Sequence, residues 1–418
     1  MYGIGIILGA GIYALIGVGA GLAGNMLWLA FLISAFIAIF TGLSYAELSS
    51  MFPKEAAEYN YTRKAFRNEP FSFAIGWLLV AGTVIGASTV SLGFAGYFTT
   101  LFGGSVPLVA AGLIAVMTVL NYAGIRESAF FNNFSSVIEA LGLLIVIAVA
   151  LLFPPLGDFD LFELPAGGFG GIMAAISVIF FAYIGFESIT NLSEEVRDSR
   201  RTVPKALIVA LLVSTVLYIL VAIASVREVG WEALSQSKAP LALVTERALG
   251  SYSVALSLIA LFATSNTVLI FLIVSSRILY GMSEGGSLPK PFSAVGMRGT
   301  PYLSVFVVGA IAAIAASAFD IKTVAQLSDL SVFIAYFAVN ASLIALSGHA
   351  FKRGFVSFRL FGIPVLAYAG ALSSLAMLIF FEPRHWLMEG VILAVGLALF
   401  LAGRPKGPAR APQSAGRR

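Results

Sequence analysis

Apolar stretches of about 20 residues recur along the 418-residue chain from one end to the other. A helix of that length crosses roughly 30 Å of hydrocarbon. Only 11% of the residues are charged, whereas soluble domains carry roughly 25%. The short alternating segments typical of a membrane barrel do not occur. The sequence therefore predicts an all-α integral protein of a lipid bilayer.

Hydropathy predicts about twelve transmembrane helices. They lie near residues 3–24, 27–50, 72–101, 105–123, 132–153, 169–191, 203–226, 251–279, 302–319, 325–348, 360–381 and 386–403. An even number of spans places both termini on one side. With that side taken as cytoplasmic, 20 of the 25 Lys and Arg residues lie in cytoplasmic segments and five in external ones. Following the positive-inside rule, we expect a multi-pass protein of the cell membrane with cytoplasmic termini.

Glycine interrupts the first and the sixth predicted spans at matching positions. Gly9, Ala10 and Gly11 lie near the middle of the first span, and Gly185 lies within the segment 181–188 of the sixth. Unwinding a helix in hydrocarbon exposes backbone N–H and C=O groups, which a ligand, an ion or a protein-lined cavity must satisfy. Half-helix ends offer poles of both signs, which suit a zwitterionic amino acid. The alternative is that the glycines only allow close helix packing.

The spacing of the spans predicts an internal repeat. The spans that follow the two glycine interruptions are offset by about 175 to 180 residues. Five spans in each half invert the second half relative to the first. We therefore expect inverted repeats over residues 1–153 and 154–348, two appended helices within 349–403, and a cytoplasmic tail over 404–418.

Six groups of short motifs occur in order on these spans. They are GAGIY from Gly9, LSYAEL from Leu43 with MFPK from Met51, FAYIGFE from Phe181, LSEEV from Leu192 with RTVPK from Arg201, SRILYGM from Ser276, and LPK from Leu288 with RGTP from Arg298. Together they resemble the amino acid–polyamine–organocation superfamily, which has the leucine-transporter fold with discontinuous helices 1 and 6. Ala56 and Ala57 depart from the two glycines that the family often has there.

The resemblance implies a substrate site built from backbone atoms. N–H groups of the first break bind the substrate carboxylate, and carbonyl groups of the sixth-helix break bind its amino group. The N–H groups are those around Gly9, Ala10, Gly11 and Ile12, and the carbonyl groups are those around Tyr183, Ile184, Gly185 and Phe186. Phe186 is also expected to be a gate over the site.

Two acidic residues within predicted spans are candidates for ion coupling, because intramembrane charges are costly and usually functional. Glu139 lies where many relatives have lysine. It either carries a proton or pairs with a cation, or it makes only a structural hydrogen bond. Glu187 follows the sixth-helix interruption and either braces the unwound segment or takes part in coupling or substrate contact.

Hydroxyl and histidine side chains give weaker indications. Thr264 and Ser265 lie in the eighth span, where sodium-coupled relatives place cation ligands, but such hydroxyls usually bond to their own helix. His349 and His385 are predicted at opposite membrane faces and are expected to be solvated. With no cysteine in the chain, we predict no metal site and no cofactor.

The sequence thus predicts a permease that imports amino acids by alternating access. The expected driving force is a proton gradient, with sodium coupling or substrate exchange left open. A polyamine or another organic cation is the alternative substrate. Enzyme chemistry is not expected, since no nucleophile–base pair or HExxH motif occurs. The basic residues are spread over loops, which argues against nucleic acid as a binding partner. A nutrient sensor is not expected either, because such a protein would carry a large soluble domain and the longest loop here is short.

Overall fold

A computed structural model describes residues 7–8, 11–53, 57–124, 129–155, 160–191, 196–250, 253–296, 298–347 and 364–403. Within these ranges the chain is helical. The helices are α1 (Gly11–Ala23), α2 (Leu27–Met51), α3 (Ala57–Phe66), α4 (Glu69–Phe102), α5 (Val106–Ala123), α6 (Ala129–Leu152), α7 (Gly168–Ile179), α8 (Ser188–Asn191), α9 (Ser199–Val229), α10 (Trp231–Gln236), α11 (Pro240–Leu249), α12 (Ser253–Glu284), α13 (Tyr302–Ala318), α14 (Ile321–Leu346), α15 (Val365–Met377) and α16 (Pro383–Gly403).

The described helices match the predicted spans. Among the described residues, nine stretches are long and apolar enough to cross a membrane, and the first of them, Gly11–Met51, contains both α1 and α2. Two shorter apolar helices, Tyr302–Ala318 and Val365–Phe380, account for the ninth and eleventh predicted spans. Every predicted span therefore contains a helix, and the prediction of an all-α membrane protein is confirmed.

The outward faces of the helices are apolar, as a hydrocarbon solvent requires. Leu108 is 75% exposed, Ile379 is 80% exposed and Leu387 is 74% exposed. A protein surrounded by water rarely exposes contiguous apolar surface of this kind. Buried serine, threonine and tyrosine side chains lie inside the helix bundle instead, and many of them donate hydrogen bonds to backbone carbonyls there.

Three short helices at the ends of the spans, α3, α10 and α11, were not predicted. Hydropathy does not detect them because they are short and α3 is polar, with the sequence AEYNYTRKAF. α3 buries one face, including Glu58 and Tyr61, and packs against α4 and α14. α10 packs against α1 at the opposite end of that helix from Gly11.

Long helices surround the place where the first and the sixth spans meet. α2 packs along α9, and α4 packs along both α12 and α14. α1 packs against α7, so the first and the sixth spans are neighbours. The segment Phe180–Tyr183, which follows α7, lies inside the bundle and contacts α1, α2 and α14.

Candidate substrate site

The sixth span is interrupted in the middle of the bundle. α7 ends at Ile179, a 3₁₀ turn covers Phe180–Tyr183, and α8 begins only at Ser188. Between them Ile184 is extended, with φ −61° and ψ 138°, and Gly185 has a φ of 120°. Glycine suits that conformation because a Cβ would strain it. The interruption lies where the sequence predicts it.

The first span touches this interruption at Gly11. Gly9 and Ala10 lie outside the described residues, and α1 as described begins at Gly11. A Cβ added to Gly11 would lie only 2.6 Å from the Ala182 Cα, so any larger residue forces the two backbones apart. Ile12 follows and is fully buried. The structure therefore places Gly11 against Ala182, the residue directly before the predicted binding segment of the sixth span.

The hydroxyl of Tyr218 in α9 joins the same two segments. It hydrogen-bonds the Ala182 carbonyl at 3.0 Å and the Ile7 carbonyl of the first span. A hydroxyl has one proton, so the two carbonyls share it. Sequence reasoning did not single out Tyr218, because nothing in its local sequence indicates a contact 211 residues away.

Backbone carbonyls at the interruption differ in whether they already accept a hydrogen bond. Within the described residues, the carbonyls of Tyr183 and Ile184 accept none, whereas the Phe186 carbonyl accepts one from the Ile189 N–H at 3.2 Å. The Tyr183 side chain points away and donates to the Phe31 carbonyl at 3.1 Å. Tyr183 and Ile184 are therefore the better candidates for binding a substrate ammonium group.

An aromatic layer covers the interruption on the side of the molecule that holds α3. The Phe186 ring meets the Tyr45 ring edge-on at 5.6 Å and the Tyr336 ring at 5.2 Å. Tyr45 also contacts Tyr61 of α3, with ring centroids 6.2 Å apart. Phe186 is fully buried in this layer, which is the position that a gate requires.

Glu187 braces the interruption. Both of its carboxylate oxygens accept from the Gly185 N–H, at 3.1 and 3.0 Å, and one also accepts from the Tyr336 hydroxyl at 2.8 Å. Two donors, one from the interruption itself and one from α14, therefore hold this side chain in place. These contacts favour the bracing role among the alternatives for Glu187, while a coupling role stays a prediction.

Asp329 in α14 is a buried acid that sequence reasoning missed. Its Oδ2 accepts a hydrogen bond from the Phe181 N–H at 3.1 Å, at the other end of the interruption from Glu187. Its side chain has no exposed surface. The sequence did contain the indication, because an aspartate within an apolar span points to a functional residue as strongly as Glu139 does.

Glu139 lies close to the first span. The side chain is fully buried in α6, and the Glu139 carbonyl accepts from the Tyr13 hydroxyl at 2.8 Å. Tyr13 directly follows Ile12 of the predicted binding segment. The structure thus places Glu139 beside α1, and its role in coupling stays a prediction.

Glu58 of α3 is a second acid that sequence reasoning did not assign to the site. Its carboxyl group is buried near Tyr45 and Tyr61. Burial and, to a smaller extent, the charge of Glu187 raise the pKa of Glu58 from its ordinary value of 4.5 to about 7. The aromatic layer therefore contains a group that titrates near neutral pH.

Thr264 and Ser265 bond to their own helix. The Thr264 hydroxyl donates to the Ala260 carbonyl at 2.6 Å, and the Ser265 hydroxyl donates to the Phe262 carbonyl at 2.9 Å. This is the ordinary behaviour of hydroxyls in membrane helices. Their oxygens keep lone pairs, so a cation site at these residues stays a prediction without further support from these contacts.

His385 contradicts the expectation of two solvated histidines. It is fully buried in α16, because that face of α16 packs against neighbouring helices of the bundle, while His349 lies outside the described residues. One turn further, Glu389 is also buried and accepts from the Ser331 hydroxyl at 2.8 Å. Among the residues that the structure describes, no three His, Asp or Glu side chains are grouped as metal ligands.

An interrupted sixth span that packs against the first span, inside a bundle of apolar membrane-length helices, is the arrangement of a multi-helix membrane transporter. The chain matches the family described as amino acid permease over residues 1–395. It belongs to that family, which lies in the superfamily that the motifs indicated. The chain is therefore a permease rather than an enzyme, and the family assigns it amino acids as small-molecule substrates.

Individual relatives are named for different substrates. The chain is 30% identical to the branched-chain amino acid permease BcaP of Bacillus subtilis, over 83% of this chain and 79% of the relative. It is 29% identical to the methylthioribose transporter of the same organism, over 97% and 92%. It is also 29% identical to cationic amino acid transporter 3, mitochondrial, of Arabidopsis thaliana, over 82% and 60%.

Proposed function

We propose that this permease imports an amino acid by alternating access and that a proton gradient drives the import. The observation that carries the proposal is the contact between Gly11 and Ala182, which joins the first span to the interrupted sixth span inside the bundle. In this proposal the N–H groups around Gly11 and Ile12 bind the substrate carboxylate. The carbonyls of Tyr183 and Ile184, which accept no hydrogen bond within the described chain, suit the ammonium group.

The helix pairing supports the proposed inverted repeat. α2 and α9 occupy matching positions of the two halves and pack along each other, as do α4 and α12. Helices that pair across a pseudo-two-fold axis let a bundle drawn from both halves rock against the remaining helices around a central site. In this proposal the layer of Phe186, Tyr45 and Tyr336 closes the site on the α3 side.

The distribution of Lys and Arg supports the orientation. The α3 side carries most of the positive charge and is proposed to face the cytoplasm, with both termini on that side of the cell membrane. Phe186 and its neighbours are then the inner gate, and α10 and α11 lie on the external side.

Uptake into proteoliposomes tests the function. We expect tritiated leucine or tritiated arginine to accumulate when the lumen is alkaline relative to the outside and not to accumulate under a sodium gradient alone. Accumulation driven only by sodium would contradict proton coupling. A thermal-stabilisation screen of the purified protein identifies further amino acids to test for uptake. If neither leucine nor arginine nor any amino acid from that screen is transported, the proposed substrate class is contradicted.

An organic cation such as a polyamine is the second candidate substrate. The buried acids Glu187 and Asp329 flank the interruption and favour positive charge there. However, Glu187 already accepts hydrogen bonds from Gly185 and Tyr336, which leaves Asp329 as the main support. Putrescine tested as a competitor of tritiated arginine uptake distinguishes the candidates, because a site that needs a carboxylate excludes putrescine.

An amino acid exchanger is a further alternative to gradient-driven import. Exchange of internal for external amino acid, without net uptake under a gradient, would identify an exchanger.

A further inference from the structure

Asp329 is a buried acid beside the interruption, and one of its two carboxylate oxygens has no donor within the described residues. Its Oδ2 accepts the Phe181 N–H, but its Oδ1 accepts no hydrogen bond from any residue that the structure describes. Glu187 differs, since both of its oxygens accept the Gly185 N–H and one accepts the Tyr336 hydroxyl. An ionised carboxylate inside a protein needs several donors or a cation. Asp329 as placed has one donor.

The charges around Asp329 do not compensate for ionisation. The ion pairs within the described chain are Arg247 with Glu228 and Arg384 with Glu382, and neither includes Asp329. Tyr336 lies two turns further along the same helix and hydrogen-bonds Glu187 rather than Asp329. Among the described residues of the sixth span, the group that hydrogen-bonds Asp329 is the Phe181 N–H. Burial with a single donor and no cation favours the neutral, protonated carboxyl over the carboxylate.

The hydrogen bond of Asp329 connects its protonation to the sixth span. Phe181 lies in the 3₁₀ turn of the interruption, and its N–H donates to Asp329. Any movement of this turn relative to α14 lengthens or breaks the hydrogen bond from the Phe181 N–H to the Asp329 carboxyl group, or admits water to that carboxyl group. The proton affinity of Asp329 then differs between the two positions of the sixth span, which is the requirement for coupling a proton to a conformational change.

We propose that Asp329 is a proton-binding site that takes up and releases one proton in each transport cycle, in step with the movement of the interrupted sixth span. Asp329 binds the proton while it is buried against Phe181 and releases it when that contact opens. This inference rests on the proposed proton-driven transport. It adds a coupling residue in α14 to the candidates Glu139 and Glu187.

The variant D329N tests the proposal in proteoliposomes. Asparagine keeps an acceptor for the Phe181 N–H but cannot titrate. Under a gradient of about one pH unit, one-proton symport sustains about tenfold accumulation, since each pH unit is a factor of ten in the proton activity. We expect wild type to reach that level with tritiated leucine or tritiated arginine. D329N is expected to equilibrate the label without accumulation, while exchange of internal for external amino acid continues.

A control variant on the same helix separates coupling from stability. The Ser328 hydroxyl donates to the Gly82 carbonyl at 2.8 Å, so S328A removes one buried hydrogen bond and no titratable group. It is expected to keep gradient-driven accumulation. If D329N cannot be purified, D329E decides, because it remains titratable in a changed position. D329E should keep accumulation with a shifted pH profile, and an unshifted profile would contradict the proposal.

The outcomes distinguish this proposal from the proposed function. A wild-type protein that transports amino acids but ignores the pH gradient overturns both proton-driven import and the role of Asp329. A wild type that responds to the gradient, together with a D329N variant that responds equally, overturns only the role of Asp329.

Discussion

The Tyr336 hydroxyl donates to the Glu187 carboxylate at 2.8 Å and thereby ties α14 to the interrupted sixth span. Glu187 in turn accepts the Gly185 N–H, so the hydrogen bond reaches the residue with the positive φ. Further along α14, Asp329 accepts the Phe181 N–H. The interruption is therefore held at both ends by one helix, and α14 is the element against which the sixth span would move.

Removing the Tyr336 hydroxyl is expected to impair transport and stability. Y336F leaves Glu187 with fewer donors, which costs about 1–3 kcal/mol for a buried charged acceptor. We expect a lower thermal unfolding midpoint and several-fold slower uptake. Y368F is the control, since Tyr368 on α15 is 44% exposed. An unfolding midpoint for Y336F equal to that of wild type would show that Glu187 does not depend on this contact.

Gly11 is expected to tolerate no side chain. In G11A the Cβ meets the Ala182 Cα at 2.6 Å, so the first and sixth spans separate and the site between them is distorted. We expect uptake to fall at least about tenfold, as in other cases of displaced binding groups. The matched control is G112A, also within a helix, where the added Cβ meets nothing within 4 Å. Equal uptake by the two variants would refute the close approach.

The aromatic layer is expected to weaken as the pH rises. Glu58 has a pKa of about 7 when buried, and near 4.5 when it reaches water. The closed layer thus binds one more proton between these values, so its stability is greatest below pH 4.5 and declines as the pH rises through 7. Thermal unfolding between pH 5 and 8 should show this decline in wild type.

The variant E58Q should flatten that pH dependence, because glutamine does not titrate. E69Q serves as the control, since Glu69 is exposed at the start of α4. If E58Q and E69Q lose stability with pH to the same extent as wild type, another group is responsible.

The coupling roles predicted for Glu139 and proposed for Asp329 can be compared by removing the titratable group at each residue and measuring gradient-driven uptake. If Glu139 carries the coupling proton, E139Q should abolish accumulation under a pH gradient and keep exchange, because the amide cannot titrate. The control is E246Q, a substitution of an exposed glutamate in α11. Unchanged gradient-driven uptake by E139Q would leave Glu139 with a structural role beside Tyr13.

The fold was largely predictable because the bilayer constrains a membrane helix to an apolar length that hydropathy reads directly. The interruption at Gly185 was predictable for a related reason, since a φ of 120° demands glycine. The short helix α3 was not, because its polar sequence AEYNYTRKAF gives no apolar signal and tertiary packing alone buries Glu58 and Tyr61.

The site was predictable only in part. Local motifs indicated Gly11 and the segment around Ile184, but the contacts of Tyr218, Tyr336 and Asp329 join residues more than 140 positions apart or depend on which helix lies opposite. Hydropathy placed His385 near a membrane face and therefore in solvent, whereas the packing of α16 buries it. A single sequence does not show which residues of two packed helices lie opposite each other.

The central claim is that an amino acid binds between the first span and the interrupted sixth span. The chain has no cysteine, so a single introduced thiol can be followed without background. In I184C, on the buried extended residue of the interruption, leucine or arginine at saturating concentration should slow labelling by a membrane-permeant maleimide. L164C, at a residue 62% exposed between α6 and α7, should label at the same rate with and without amino acid. Labelling of I184C that no amino acid slows, in a protein that still transports that amino acid, would contradict the account.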